Sequence, residues 1–492
     1  CLSVQSPIGM AINDLLTVTA PVICAIGGTI LLLVDLAVPK NSKSTTAWLA
    51  FAIMLLALLS VPLQWGDEKG ALGFAGMVAR DGYSLFLDGL LALIGALTVL
   101  LTLRYNEARG MVRGEFYPLM LFALSGMMLM GHATNLIVVF VAVELLSIPL
   151  YVLCGFARPR VDSEESALKY FLLGAFASGF LVYGIALIYG AAGTISLPEL
   201  TALLSGGALK DSALLYAGVA LLLVGLGFKV AAAPFHMWTP DVYEGAPTTV
   251  TAFMASATKA AGFAAILRIF LFGLAPLLET WQTPIAALAL LSMVVGNVIA
   301  LAQSNLKRML AYSSIAHAGY VLAGVAAGGD AGATAVLFYL ASYALTSLAA
   351  FAVMVALSSG ANENHSLETY AGLGRRKPLL GLVMAIAMLS LLGIPPTAGF
   401  FGKYFLISAA VNSGLTWLAI ALVITSVVSA GFYLRVIMTM YMKEGAADAE
   451  PIAGNWPRAL AALTATVATL GIGVLASPVL QLITGGIQNI VR

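Results

Sequence analysis

The 492-residue chain has little charge: Asp, Glu, Lys and Arg together make up 10% of it, well under the roughly 25% of soluble domains. Its three cysteines, Cys1, Cys24 and Cys154, are too few and too scattered for a disulfide framework or a metal site, and read as packing residues. No G-x-x-x-x-G-K-[ST] loop, C-x-x-C pair or H-E-x-x-H segment occurs, so the phosphate-loop, dithiol and zinc-hydrolase signatures are missing. With a net charge of +1 and no basic cluster interleaved with aromatics, nothing points to nucleic acid. The residues before the first apolar run lack the basic stretch of a cleavable signal, and Met10 is a candidate start.

Apolar sequence dominates instead. Hydrophobic residues make up 61% of the chain, and runs of about 20 recur along its length, the pattern of membrane-spanning helices rather than of barrel strands. The 49 glycines are small residues that let such helices approach closely. The fold class expected is all-α integral membrane, with fourteen spans at about 15–38, 47–65, 84–104, 115–131, 134–156, 166–190, 214–236, 249–272, 283–302, 311–328, 331–357, 378–410, 416–438 and 458–482. The connections leave room only for turns or short surface helices, so no soluble domain is expected to hold a nucleotide or redox cofactor. Of the loop cations, fourteen, including Lys40, Arg109, Arg158, Lys307, Arg308 and Lys377, fall on one side, and Lys69, Arg80, Lys210 and Arg492 on the other. That bias places the first group in the cytoplasm and both termini outside.

Two spans are expected to break. Gly225 to Lys259 reads GLGFKVAAAPFHMWTPDVYEGAPTTVTAFMASATK, where Pro234 frees the carbonyl of Val230 just beyond Lys229. Ser390 to Lys403 reads SLLGIPPTAGFFGK, interrupted by Pro395 and Pro396. Interrupted helices in matching halves are the strongest sequence pointer to a transporter's ion pathway. The chain divides into a three-helix segment (1–114), two five-span blocks (115–272 and 283–441), and a C-terminal helix (442–492). Each block has its broken span fourth, and five being odd, the second block enters from the opposite side, as an inverted repeat.

Several ionisable residues fall where lipid would surround them. Glu144 stands mid-span in FVAVELLSIPLYVL and needs a cation, for which Lys229 and Lys259 are candidates. A buried lysine holds its proton when a carboxylate approaches and gives it up when the carboxylate leaves, so such a pair can transfer protons; the competing reading is a static ion pair. Lys403 has no acid within its own helix, so either it has a partner elsewhere or it snorkels to the interface. His317, in YSSIAHAGY, reads equally as a relay or as a packing residue. Glu165 and Lys169 are spaced as a helical pair, at a boundary or in a coupling role. His236 beside the break fits an internal hydrogen bond to a freed carbonyl at least as well as a part in transport, Lys307 and Arg308 read as topology residues in a turn, and Asp88 as facing interfacial water.

GFKVAAAPFHMWTPDVYEGAPTTVTAFMASATK, LKRMLAYSSIAHAGYVL and GIPPTAGFFGKYFLISAAV resemble the antiporter-like membrane subunits of respiratory complex I, and DVYEGAPT, with a lysine in the last segment, is most similar to the subunit N branch. The resemblance covers nearly the whole chain. It implies fourteen helices with an inverted five-helix repeat, Glu144 and Lys229 as the acid and lysine of one half-channel, Lys259 as the central lysine, Lys403 as the terminal one, and Glu165, Lys169 and His317 on the same polar axis. It implies proton translocation in a bacterial inner membrane, beside further antiporter-like subunits. NADH oxidation and quinone reduction, with FMN, iron–sulfur clusters and quinone, would belong to partner subunits, and this chain would hold no cofactor or metal. Multi-subunit Na+/H+ antiporters share the lysines and the breaks and are the alternative.

Overall fold

The computed structural model describes residues 13–39, 43–65, 70–207, 209–358, 363–445 and 456–490. Apart from a short β-hairpin, Ala71–Gly73 (β1) paired with Val78–Arg80 (β2), the described residues are almost all helical. This follows from the composition, because in lipid a helix satisfies its backbone groups within one segment. The longer helices are Thr19–Ala37 (α1), Ser44–Gln64 (α2), Gly82–Ala108 (α3), Phe116–His132 (α4), Leu136–Cys154 (α5) and Val161–Ala192 (α6). After Leu197–Ser205 (α7) come Ala213–Lys229 (α8), Trp238–Gly245 (α9), Thr248–Gly273 (α10), Leu278–Leu301 (α11), Leu306–Ala327 (α12) and Gly329–Leu357 (α13). The chain closes with Pro378–Leu392 (α14), Ala398–Asn412 (α15), Thr416–Met442 (α16), Trp456–Val474 (α17) and Ala476–Gln488 (α18).

Among the described residues eleven helices are long and apolar enough to cross a membrane, and three shorter apolar ones are Phe116–His132, Ala213–Lys229 and Pro378–Leu392. Two of those three are the first halves of the spans expected to break. The chain leaves α8 through Ala231, at φ 60° in the left-handed region that non-glycine residues rarely occupy, and resumes at Trp238. α14 ends at Gly393, φ 93°, and α15 begins at Ala398.

The span expected at 458–482 is two helices, which corrects the single C-terminal helix assigned to 442–492: α17 stops at Val474 and α18 starts at Ala476. Pro478, near the start of α18, suits a first helical turn and not a helix interior. α6 is also longer than its apolar core. Its first turn carries Asp162 and Glu164, which favour a helix N-terminus.

Burial orders the layers. The apolar window of α10 is wholly buried, and α12 and α13 nearly so, whereas two thirds of the windows of α1, α2 and α6 lie outside the core. Leu168, Phe171, Leu172 and Phe176 on α6 are exposed, as a lipid-facing stripe requires. α10 also departs from α-winding in two π segments, Met254–Thr258 and Leu267–Gly273, the first ending directly before Lys259. Single π turns inside helices are rare and concentrate at functional positions.

Two loop contacts repeat. Asn135 caps α5 and bridges to Ser196, with Leu136 N donating to Ile195 O at 2.9 Å and Leu197 N to Thr134 O at 2.9 Å. Asn305 caps α12 and bridges to Ser366, with Leu306 N donating to His365 O at 2.7 Å and Leu367 N to Ser304 O at 2.9 Å.

Candidate functional site

The charges stranded in apolar sequence come together with tyrosines and freed carbonyls in the buried centre. Lys229 closes α8 and is 5% exposed; its ammonium donates to Ser147 Oγ of α5 at 2.7 Å and to Tyr170 OH of α6 at 3.3 Å. Glu144 is only half-buried, and its carboxylate accepts a hydrogen bond from Ser178 of α6. The expected Glu144–Lys229 ion pair is therefore not formed. Ser147, one helical turn past Glu144, stands where the carboxylate was expected, because Lys229 emerges opposite that turn of α5.

Lys259 is 2% exposed on α10, donates to the carbonyl of Ser314 on α12, and lies 5.4 Å from the ring centroid of Tyr343 on α13. Its helix touches the α8 break at Gly262. A Cβ there would lie 2.8 Å from Val230 Cγ1 and 3.7 Å from Lys229 Cγ, so the missing side chain gives the break its room.

His317 is 3% exposed between two tyrosines, with Nδ1 2.5 Å from Tyr339 OH and Nε2 2.9 Å from Tyr433 OH; Ser313 Oγ meets the same Tyr433 hydroxyl. Its ring centroid is 4.9 Å from that of Tyr343 and 5.3 Å from that of Tyr320. Lys403, 6% exposed, lies 4.9 Å from the Tyr320 ring centroid and donates to Leu392 O at 2.9 Å. That carbonyl lies four residues before Pro396, whose missing N–H would otherwise have been its helical partner. The break thus supplies an acceptor where no acid is at hand. Lys403 also borders an apolar groove of ≈ 490 Å³ between α15 and α16, lined by Phe400, Tyr404, Ile407, Val423 and Val427.

Lys259, Tyr343, His317, Tyr320 and Lys403 thereby form one row, and no carboxylate among the described residues meets either of its lysines. The tyrosines escaped the reading of the sequence. Tyr320 stands three residues after His317, and Tyr339 and Tyr343 are four apart, spacings that put each set on one helix face.

Glu165 and Lys169 do pair, at 2.7 Å, but they are 57% and 40% exposed. Lys169 also meets Asp241 at 2.7 Å, and Arg308 joins Asp241 at 2.9 Å and Glu244 at 2.7 Å. The pair thus belongs to an open ionic network at the end of α6, α9 and α12, apart from the buried row.

Two residues require correction. Lys307 is not a solvated turn residue: it is 1% exposed, donates to the carbonyls of Glu244 and Ala246, and stands 3.6 Å from Glu363. Glu363 also meets Arg109 at 3.2 Å, Thr248 Oγ1 at 2.8 Å, His365 at 3.2 Å and the Tyr105 hydroxyl. Burial alone would raise the Glu363 carboxyl, but Lys307, His365 and Arg109 outweigh it and hold it well below the usual carboxylate range. Asp88, expected to face interfacial water, is 1% exposed and bound to His132 at 2.9 Å, because α4 and the hairpin cover it.

Gly393 tests the second break. Its φ of 93° disfavours any side chain, and a Cβ there would press within 3.1 Å of Lys403 Cδ. Gly393→Ala is expected to cost about 1–2 kcal/mol and to displace the ammonium from Leu392 O. A thermal shift would show the first effect, and a structure of the variant with the ammonium away from Leu392 O the second.

This architecture, with two broken helices flanking buried lysines, is that of the antiporter-like membrane proteins, and residues 133–429 match the family described as NADH:quinone oxidoreductase/Mrp antiporter, TM. A chain of respiratory complex I from Thermus thermophilus with bound aureothin is 40% identical, with a TM-score of 0.80 over 95% of this chain and 100% of that one. A chain of the Mrp complex from Dietzia sp. has a TM-score of 0.85 at 22% identity, a likeness of fold alone. NADH-quinone oxidoreductase subunit N of Chloroflexus aggregans is 48% identical over 92% of this chain and 93% of its own, and that of Trichlorobacter lovleyi is 46% identical over 94% of each. The chain belongs to the NADH-quinone oxidoreductase subunit N family.

Proposed function

We propose that this chain is a proton-translocating membrane subunit of NADH-quinone oxidoreductase, moving protons along a buried Glu/Lys/His axis while redox chemistry proceeds in other subunits. The observation that carries the reading is the continuous row from Lys259 through Tyr343, His317 and Tyr320 to Lys403. Ammonium groups held by carbonyls and hydroxyls, with no counter-carboxylate in contact, exchange protons more readily than members of a closed ion pair. Glu144 and Lys229 begin the axis. With Glu144 held by Ser178 and Lys229 by Ser147, a shift of either side chain across one turn of α5 would bring acid and ammonium together and fix the proton. Glu165 and Lys169, in the open ionic network apart from the row, stand at the solvent end of this half.

The fold reading that goes with this counts the three shorter apolar helices as spans, giving fourteen, with both termini outside. It takes 115–272 and 283–441 as inverted repeats, after a three-helix segment at 1–114 and before the C-terminal segment from 442. The matching Asn135–Ser196 and Asn305–Ser366 bridges support the repeat: each ties the start of a block's second helix to the chain that follows its third. Counted from those asparagines, Glu144 shares its position with Ser314, and Ser147 with His317. The second block thus places a histidine where the first has the hydroxyl that holds Lys229.

FMN, iron–sulfur clusters and quinone then reside in partner subunits, and further antiporter-like subunits lie alongside in the bacterial inner membrane. Purification of the native assembly tests this: flavin and iron–sulfur subunits should accompany the chain. Recovery with only antiporter subunits would support the Na+/H+ exchanger reading instead.

A further inference from the structure

Outside the lysine row, the hairpin side of α3 holds a second buried acid and base. Asp88 and His132 are each 1% exposed, and Asp88 Oδ2 lies 2.9 Å from His132 Nε2. The other ring nitrogen, Nδ1, lies 2.9 Å from the carbonyl of Ala79 on β2. A carbonyl can only accept, so Nδ1 must carry a hydrogen. Nε2 then faces a carboxylate oxygen, and a contact that short requires a proton between them. The pair therefore holds one exchangeable proton, as imidazolium and carboxylate or as imidazole and acid.

The neighbouring groups leave that proton without a rival. Among the described residues, Cys24 on α1, Asp81 at the N-cap of α3, Tyr83 on α3 and Arg268 on α10 are the titratable and charged groups around it. Arg268 closes on Asp81 at 2.7 Å and on the carbonyl of Gly131 at 2.9 Å, and Tyr83 OH donates to Ala264 O at 2.7 Å. Arg268 thus balances Asp81, and the charge on Asp88 is balanced by His132.

Two features suit the pair to exchange. Asp88 Oδ1 is buried with no hydrogen-bond partner, a position that a polar molecule would satisfy. A cleft of ≈ 230 Å³ opens at the start of α3, lined by Arg80, Asp81, Gly82 and Leu85. Asp88 lies two turns beyond Asp81 and one beyond Leu85, on the same helix face.

We infer that Asp88 and His132 form a second proton-exchange site, trading the shared proton with water that reaches Asp88 Oδ1 from this cleft, and so give the N-terminal helices a part in proton transfer. On release, the proton passes from the Nε2–Oδ2 contact to water. Neutral His132 stays hydrogen-bonded to Ala79, and the Asp88 carboxylate turns its charge toward the cleft, away from the Nε2 lone pair. The inference rests on the proton-moving reading above.

Asp88→Asn is the test, because the Asn amide still donates to a neutral Nε2 and keeps the packing while the shared proton is lost. A proton-transfer group contributes about 10²–10⁴-fold at its own step, so Asp88→Asn is expected to slow transfer through this site at least about 10²-fold, read as fewer protons moved per NADH oxidised by the assembled enzyme in vesicles. Asp88→Glu, which restores the carboxylate, should recover transport. Equal transport by both variants and the unaltered enzyme would overturn the site, as would an Asp88→Asn chain that fails to assemble, which marks the pair as a staple. Neither result touches the lysine row, whereas normal pumping by Lys229→Ala would remove the reading on which both depend.

Discussion

Lys229→Ala in the assembled enzyme is expected to slow proton transfer through this chain about 10²-fold, the scale of losing one positioned acid–base group. The side chain sits where α8 ends, between Ser147 and Tyr170, and among the described residues no second ammonium reaches those two hydroxyls. Alanine leaves them facing each other with nothing to carry charge past the break. The packing itself should survive, because Gly262 and Val230 remain in contact beside it. Vesicle acidification measured alongside subunit content separates the two effects. Intact pumping at normal assembly would reduce the buried charges to struts.

Glu363→Ala is expected to show the largest loss of stability, about 3–5 kcal/mol, the cost of breaking a buried ionic cluster by removing one sign of charge. Glu363 supplies the carboxylate on which Lys307, Arg109 and His365 converge, and its oxygens also engage Thr248 and Tyr105. The contacts join α3, α10 and α12 to the stretch after α13, so the loss should appear as a lower melting temperature in detergent. The sign with pH follows from the depressed carboxyl. Its contribution is fully present above the unfolded value of about 4.3 and is lost as pH falls through the lower folded one. Melting of the unaltered protein should lose this increment only in acid, and that of Glu363→Ala should lack the loss.

What could be read from the sequence was whatever lipid dictates. Helices were legible because hydrocarbon leaves the backbone no other partner, and the breaks because Pro234 and Pro396 each remove a donor. Pro396 even indicates which carbonyl is freed, that of Leu392, although not that Lys403 would take it. Partnerships were harder, since they depend on which faces meet. Glu144 and Lys229 were expected to touch, yet a serine one turn along α5 intervenes. Asp88 and Lys307 sit near helix ends, where water is the default neighbour, and only the hairpin and the Glu363 segment, folding back over them, seal them in. His132 raised no signal because its partners come from β2 and α3, distant in sequence. The split at Leu475 was within reach, since Ser477 and Pro478 are the residues of a helix start.

The π winding ahead of Lys259 has a consequence of its own. Each wide turn accommodates one residue more than an α-turn would, so the side chains beyond it are phased by an insertion. Were Met254–Thr258 to tighten to α-winding with every residue kept, Lys259 would turn by about 100°, from the Ser314 carbonyl toward a neighbouring face. The central lysine thus owes its direction to a spare residue in the coil behind it, and sliding that surplus along the helix would steer the ammonium without tilting any segment of the bundle.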